Sequence, residues 1–401
     1  MAPYASEDSE SGTRRKAVRY AVPVAVVGVA AATIGLVPAL ADSGDPDLPD
    51  ITARQLIEKI AKSDTEQLSG TVKISTDLGL PSLGGAAGGA LGGGEKEGAS
   101  SADPQSKLTE LASGSHTLRV AADGPDRQKL SVLDDASEYS VIHNGDDVWA
   151  YDSKSNEAYH AKQKAGADHG GHAKKAPKGA PATPKELTDA ILEAGGDTTS
   201  FSVDGTSQVA GRDAYRLQIK PKQSGSTVGA VTVAVDAKTG TPLKFTLTPA
   251  GGGAAVVDAG FTKVDFAKPA ASTFDFKPAK GMKVTEADER AKAPRHEGTA
   301  KPEELKAGRL DDLNVIGKGW TSIAELKLPK EAAGLAAGKG SAEMPADAQK
   351  FLDSLGDKVK GKFGSGTVYS TRLVNVLVTE DGKAYAGAVT KSELVKAADA
   401  G

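Results

Sequence analysis

Val209–Pro249 reads VAGRDAYRLQIKPKQSGSTVGAVTVAVDAKTGTPLKFTLTP, and its alternation decides the fold. Tyr215, Leu217 and Ile219 point one way while Arg216, Gln218 and Lys220 point the other. Val231, Val233 and Val235 repeat the pattern against Thr232, Ala234 and Asp236, and Leu243, Phe245 and Leu247 against Lys244, Thr246 and Thr248. A period of two with one apolar and one polar face marks antiparallel strands solvated on one side. Lys222–Gly225 and the Gly-ended loop Asp236–Gly240 supply the connections of a meander. Three strands cannot bury an apolar face alone, so further strands and covering helices are required from the rest of the chain.

Working outward, the strand signal recurs. Leu68–Thr76 (LSGTVKIST) alternates with Val72 and Ile74 on one face. Five more candidates follow: His116–Ala122, Arg127–Leu133, Glu138–His143, Asp147–Tyr151 and Glu157–Ala161. In these, Leu118 shares a face with Val120, Leu130 with Val132, and Trp149 with Tyr151. Asn144-Gly145 is the strongest hairpin signal, a pair suited to a turn with positive φ. Ala254–Phe266 gives a further strand, and Ser272–Pro278 closes the unit. Two amphipathic helices are expected to lie on the apolar face. One opens at Thr52 with Gln55 three residues on, a capping box, and carries Leu56, Ile57 and Ile60. The other, PKELTDAILEAG from Pro184, carries Leu187, Ile191 and Leu192 and ends at Gly195.

Between these elements lie two insertions. Residues 80–107 contain LGGAAGGALGGGEKEGASSADPQ, a composition that cannot pack a core. The glycines lack the Lys-Ser/Thr of a phosphate-cradling loop. Residues 162–183 are rich in Lys, Ala, Gly and Pro and hold His169 and His172 near His160. No rigid element orients these histidines, so no metal site is assigned.

Composition narrows function. The chain has 401 residues, enough for two domains plus linkers, with 4% aromatics and 47 glycines. A net charge of −4 without a basic block beyond the N-terminus gives no footprint for nucleic acid. Absence of cysteine removes disulfides, thiol catalysis and a lipidated cysteine. Gly-x-Ser-x-Gly is missing, and the acidic residues sit in turns, so no catalytic residues and no cofactor are assigned. Arg14, Arg15, Lys16 and Arg19 precede an uncharged apolar run, Tyr20–Ala41, ending Pro38-Ala39-Leu40-Ala41. Residues 1–41 read either as a cleaved signal peptide or as an N-terminal membrane anchor, and under both readings the remainder is exported.

The order of elements resembles the bacterial LolA/LolB lipoprotein-carrier superfamily, which includes the RseB/MucB-like periplasmic regulators and exported actinobacterial proteins. The resemblance rests on the helix from Thr52, LSGTVKIS, the NGDDVWAYD hairpin, PKELTDAIL, VAGRDAYRLQIKP, VTVAVDAKTGTPLKFTL and TFDFKPAKGMKV. It implies an α+β fold: a strongly curved antiparallel sheet, an unclosed half-barrel over residues 51–280, with covering helices. A linker at 281–301 and a small C-terminal α+β domain at 302–401 complete the expected organisation. In the latter, Leu313–Leu326 reads as a strand or a bent pair, Ala346–Val359 as a helix, TVYSTRLVNVLVT and Lys383–Val389 as strands, and KSELVKAA as a final helix.

The resemblance further implies an apolar cavity for an acyl chain of a lipid or lipoprotein. Its candidate lining is Val72, Ile74, Leu118, Val120, Leu130, Val132, Trp149, Tyr151, Tyr215, Leu217, Ile219, Val231, Val233, Phe245 and Leu247. Leu56, Ile60, Leu187 and Ile191 are the expected lid positions, with Arg54 or Arg119 as the arginine that holds the lid. A monomer at the outer face of the cytoplasmic membrane follows, with docking of a membrane protein such as an anti-sigma factor as the alternative role. Against the cavity stands the plainer reading that these side chains fill their own core.

Overall fold

The computed structural model describes residues 45–79, 113–162, 195–286, 314–328 and 356–401, together with 189, 192 and 193. The stretches 1–41 and 80–107, most of 162–183, and Leu187 and Ile191 lie outside the described residues. Among the described residues no helix is long and apolar enough to cross a membrane.

Twelve strands form one strongly curved, unclosed sheet. The first six are β1 (Gln67–Thr76), β2 (Gly114–Asp123), β3 (Arg127–Leu133), β4 (Glu138–Asn144), β5 (Asp147–Asp152) and β6 (Glu157–Lys162). Then come β7 (Thr199–Val209), β8 (Arg212–Pro221), β9 (Val228–Asp236), β10 (Pro242–Pro249), β11 (Val257–Asp265) and β12 (Lys283–Glu286). The opening stretch of the sequence is β8, β9 and β10. Their partners Leu217↔Val233 and Val233↔Phe245 put the alternating apolar side chains on one surface.

The spatial order β12-β6-β5-β4-β3-β2-β1-β11-β10-β9-β8-β7 shows two meanders rather than a single continuous one. They are joined where β1 meets β11, so residues 163–198 carry the chain from β6 to the far edge strand β7. All pairs are antiparallel except β12 with β6, a parallel pair in which Val284 faces Ala158. The start of the expected linker is therefore a strand. Lys283 and Glu157 form an ion pair across it.

One helix, α1 (Ala53–Ala61), lies on the inner face against β7 and β8, with Leu56 and Ile57 buried in the same cluster as Leu217, Val235 and Leu243. Its capping box is formed: the Thr52 side chain accepts from the Gln55 N–H, and the Gln55 side chain returns to the Thr52 N–H at 2.9 Å. The segment before it is strapped down by two hydroxyls, Tyr215 donating to the Pro49 carbonyl and Thr206 to the Pro46 carbonyl, each at 2.9 Å.

The end of α1 meets the β9–β10 turn at Gly240, where φ is 75° and a Cβ would stand 2.5 Å from the Lys59 carbonyl oxygen. Left-handed backbone and close approach both select glycine. Gly240→Ala is expected to cost about 2 kcal/mol, read as a lower denaturant midpoint.

The second sheet has the order β13-β14-β18-β17-β16-β15. Its strands are β13 (Asn314–Ile316), β14 (Ile323–Lys327), β15 (Gly356–Gly361), β16 (Gly364–Ser370), β17 (Asn375–Thr379) and β18 (Lys383–Gly387). With α2 (Lys391–Ala400) it buries Ile323, Val368, Leu377, Tyr385 and Leu394. Val359, expected on a helix, stands on β15, and TVYSTRLVNVLVT is two strands around a turn at Thr371–Val374 rather than one.

Backbone bonds fasten this unit to the large sheet. Thr227 donates to the Ala388 carbonyl at 2.9 Å and Thr390 to the Gly225 carbonyl at 2.8 Å, beside a Ser226–Val389 bridge pair. The Trp320 indole donates to the Thr199 hydroxyl at 2.8 Å, and the Arg372 guanidinium bonds Asp77 and the Ala254 carbonyl.

Candidate apolar-ligand site

Strand register sorts the sequence candidates by face. Tyr215, Leu217 and Ile219 on β8 stand opposite Val235, Val233 and Val231, and these in turn share their face with Phe245 and Leu247. Phe245 pairs with Ala259, Ala259 with Ile74, and Phe261 with Val72, which carries the same face across β11 to β1. Leu68 opposite Ala122 continues it to β2, where Leu118 meets Val132 and Val120 meets Leu130. Thirteen of the fifteen candidates thus line one inner surface.

Trp149 and Tyr151 do not join it. Leu130 pairs with Val141, Val141 with Ala150, and Ile142 with Trp149, so Trp149 and Tyr151 occupy the outer face. There Trp149 stacks on His160 with centroids 3.9 Å apart, and both Trp149 and Tyr151 touch Phe276. The cause is the segment after β11, which brings Phe274 and Phe276 onto the outside of the sheet. A strand covered on both sides carries apolar residues on both, and alternation no longer names the inner one. The inner positions that replace them are Tyr139, Val141, Val148, Ala150 and Tyr159. His160, weighed with His169 and His172 as a metal ligand, instead bonds Asp147 at 2.8 Å and Glu286 at 2.9 Å.

The inner surface has two halves of different character. Over β7–β11 the side chains are packed: Leu217, Ile219, Val231, Val233, Val235 and Leu243 are buried beneath α1. Over β2–β6 the packing is incomplete. Val120, Val141, Val148 and Tyr159 are half-buried and Leu130 is 37% exposed, although Leu118, Val132 and Tyr139 beside them are buried. Of the lid positions, Leu56 is buried and Ile60 packs partly against the core.

Arg54 on α1 pairs with Asp189 in the segment between the two meanders, tying the helix to the chain that crosses from β6 to β7. Both partners are more than a third exposed, so this pair orients rather than stabilises. Arg119 stands on the outer face opposite Ser131 and cannot serve the lid.

No protein-family model and no curated sequence matches this chain. Similar solved structures include the MucA/MucB complex of Pseudomonas aeruginosa, at 15% identity and a TM-score of 0.38, covering 86% of this chain and 96% of that one. A conserved uncharacterised protein from Thermus thermophilus matches at 12% identity and a TM-score of 0.31, over 58% of this chain and 98% of its own. A LolA-superfamily protein from Nitrosomonas europaea matches at 11% identity and a TM-score of 0.22, over 57% and 99% respectively. The architecture of this chain is an unclosed sheet with one apolar face and helical cover on part of it.

Proposed function

We propose that this chain is an exported, non-catalytic binding protein whose open inner half, over β2–β6, takes up an acyl chain of a lipid or lipoprotein at the outer face of the cytoplasmic membrane. The observation that carries this reading is the contrast within one surface. The β7–β11 half is closed by α1, while Val120, Leu130 and Val141 form a contiguous apolar stripe left short of full burial. Apolar surface left in this state gains free energy by binding something apolar, roughly 25 cal/mol per Å² removed from water. Export follows from the basic flank and apolar run at residues 14–41.

Native mass spectrometry of the full chain, with and without Leu130→Ser, tests the reading. The expected result is co-purifying lipid on the parent chain and about tenfold weaker retention on the variant, equivalent to ~1.4 kcal/mol, with stability changed by less than about 0.5 kcal/mol. Lipid-free parent protein, or identical retention, would overturn it.

A second reading is docking of a membrane protein partner. The observation favouring it is the fixed second domain, whose bonds to Thr199, Gly225 and Thr227 make one continuous surface with the β7–β10 end of the sheet. A lipid-free parent that captures a membrane protein through this end would support it.

A further inference from the structure

The outer face carries a polar cavity that the acyl-chain reading does not use. It lies over β1–β4 and β11, has a volume of about 390 Å³ and is lined by Arg119, Lys129, Ser131, Glu138, Lys263 and Asp265 among others. That volume falls within the range of small-molecule sites, about 300–1,000 Å³. Strand register explains the gathering: Arg119 is opposite Ser131, Ser131 opposite Ser140, and Lys263 opposite Thr71, all outward positions.

The charges in this cavity are unevenly engaged. Glu138 is already served. The Ser140 hydroxyl donates to it at 2.6 Å, Ser131 and Ser140 share a bond of 2.8 Å, and Lys129 stands 3.9 Å away. Burial raises the Glu138 pKa, but these hydroxyls, Lys129 and Arg119 outweigh it and hold the carboxyl below its ordinary range. Asp265 accepts from the Ala267 N–H at 2.8 Å. Lys263, by contrast, has no hydrogen-bond or ion-pair partner among the described residues, and Arg119 meets Glu138 through its charge without a hydrogen bond among the described residues; both are exposed at the cavity. Three cations against two carboxylates leave a net charge of +1. Among the described residues, the N–H donors of Arg119 and Lys263 meet no side-chain acceptor within hydrogen-bond distance, and they stand next to hydroxyl groups.

We infer that this outer cavity is a binding site for a phosphate group, with Arg119 and Lys263 as its ligands and the rim hydroxyls as further donors. A guanidinium presents a planar fork of donors that matches tetrahedral oxyanions, and a lysine adds a point charge. The net charge of +1 suits a singly charged phosphodiester. The same chemistry is offered by an anionic lipid headgroup and by free phosphate.

Lysine footprinting separates the sources and tests the site. The full chain is labelled with an amine-reactive reagent in three settings: in detergent with chloride, in vesicles containing phosphatidylglycerol, and in detergent with inorganic phosphate replacing chloride at equal ionic strength. Lys277, exposed on the same outer segment, is the internal reference. Labelling of Lys263 is expected to fall about fivefold relative to Lys277 when the ligand stands at roughly four times its Kd. Arg119→Ala, an exposed position, is expected to abolish that protection. Protection by phosphatidylglycerol alone assigns the headgroup, and protection by phosphate alone assigns the free ion. Equal labelling in all three settings, or protection that survives Arg119→Ala, would overturn the inference. The inference does not rest on the acyl-chain reading, since retention of lipid by the inner face is measured on a different variant and at a different face.

Discussion

Phe261→Ala is expected to destabilise the large sheet by about 3–5 kcal/mol, read as a lowered urea midpoint at unchanged slope. Phe261 is 1% exposed and sits at the junction of the two meanders, paired with Val72 across the β1–β11 seam. Its ring also covers Gly70, where an added Cβ would lie 2.7 Å from the aromatic edge. Removing it leaves a void against backbone on β1, which cannot collapse without breaking the seam. Both meanders depend on that seam, because β1 and β11 are the only strands through which they touch in the described sheet. A loss under about 1 kcal/mol would mean the seam is not packed around this ring. The comparison with Leu130 is informative. Both residues are large, apolar and inward, yet one is sealed and the other 37% exposed. That difference separates core filler from candidate lining.

Much of this was legible in residue order. Period-two alternation located β1–β6 to within two residues and β8–β11 to within about three, and the Thr52–Gln55 spacing placed the start of α1. What escaped was pairing beyond neighbours. Alternation states that a strand has two faces, not which strand stands beside it. The β1–β11 junction joins residues almost two hundred positions apart, and no local signal marks it.

The misplacement of Trp149 and Tyr151 has a sharper lesson. The β4–β5 hairpin pairs Asn144 with Asp147, with Gly145 supplying the positive φ at the turn. Any two-residue turn here puts odd positions of β4 opposite even positions of β5. Trp149 had therefore to share a face with Ile142, not with Val141 or Tyr139. The parity was available in the sequence. The bulk of Trp149 and Tyr151 goes to the outer cluster with His160 and Phe276, whose last member lies more than a hundred residues downstream. The polar cavity was illegible for a similar reason. Arg119, Lys129 and Lys263 read singly as solvent-facing alternates, and only register brings them to one place.

Asp236→Ala is expected to cost about 3–4 kcal/mol, and the loss should vanish toward acid pH. Asp236 ends β9 with a side chain 1% exposed, and both of its carboxylate oxygens are engaged. Its carboxylate accepts from the Lys238 N–H at 2.9 Å, the Thr239 N–H at 2.7 Å and the Thr239 hydroxyl at 3.0 Å, and it binds the Arg212 guanidinium through two nitrogens. Truncation leaves two turn N–H groups without their acceptor and Arg212 without its counter-charge, the situation in which removing one buried partner costs most. Arg212 keeps some compensation, since it lies over the Phe266 ring at 4.6 Å and its side chain is 27% exposed. Burial alone would raise the Asp236 pKa. The Arg212 and Thr239 bonds outweigh burial and hold it below the usual carboxylate range. Because the folded value lies below the unfolded one of ~3.9, the stabilisation is complete above about pH 4 and decays as pH falls through the folded value. Parent and variant should therefore differ by a constant margin at neutral pH and converge in acid. Asp236→Asn, which keeps the shape but not the charge, should show a smaller neutral loss that closes over the same acid range, because neither replacement titrates. A margin between parent and Asp236→Ala that stays constant down to pH 2 would show that the turn depends on side-chain shape rather than on an ionised carboxylate.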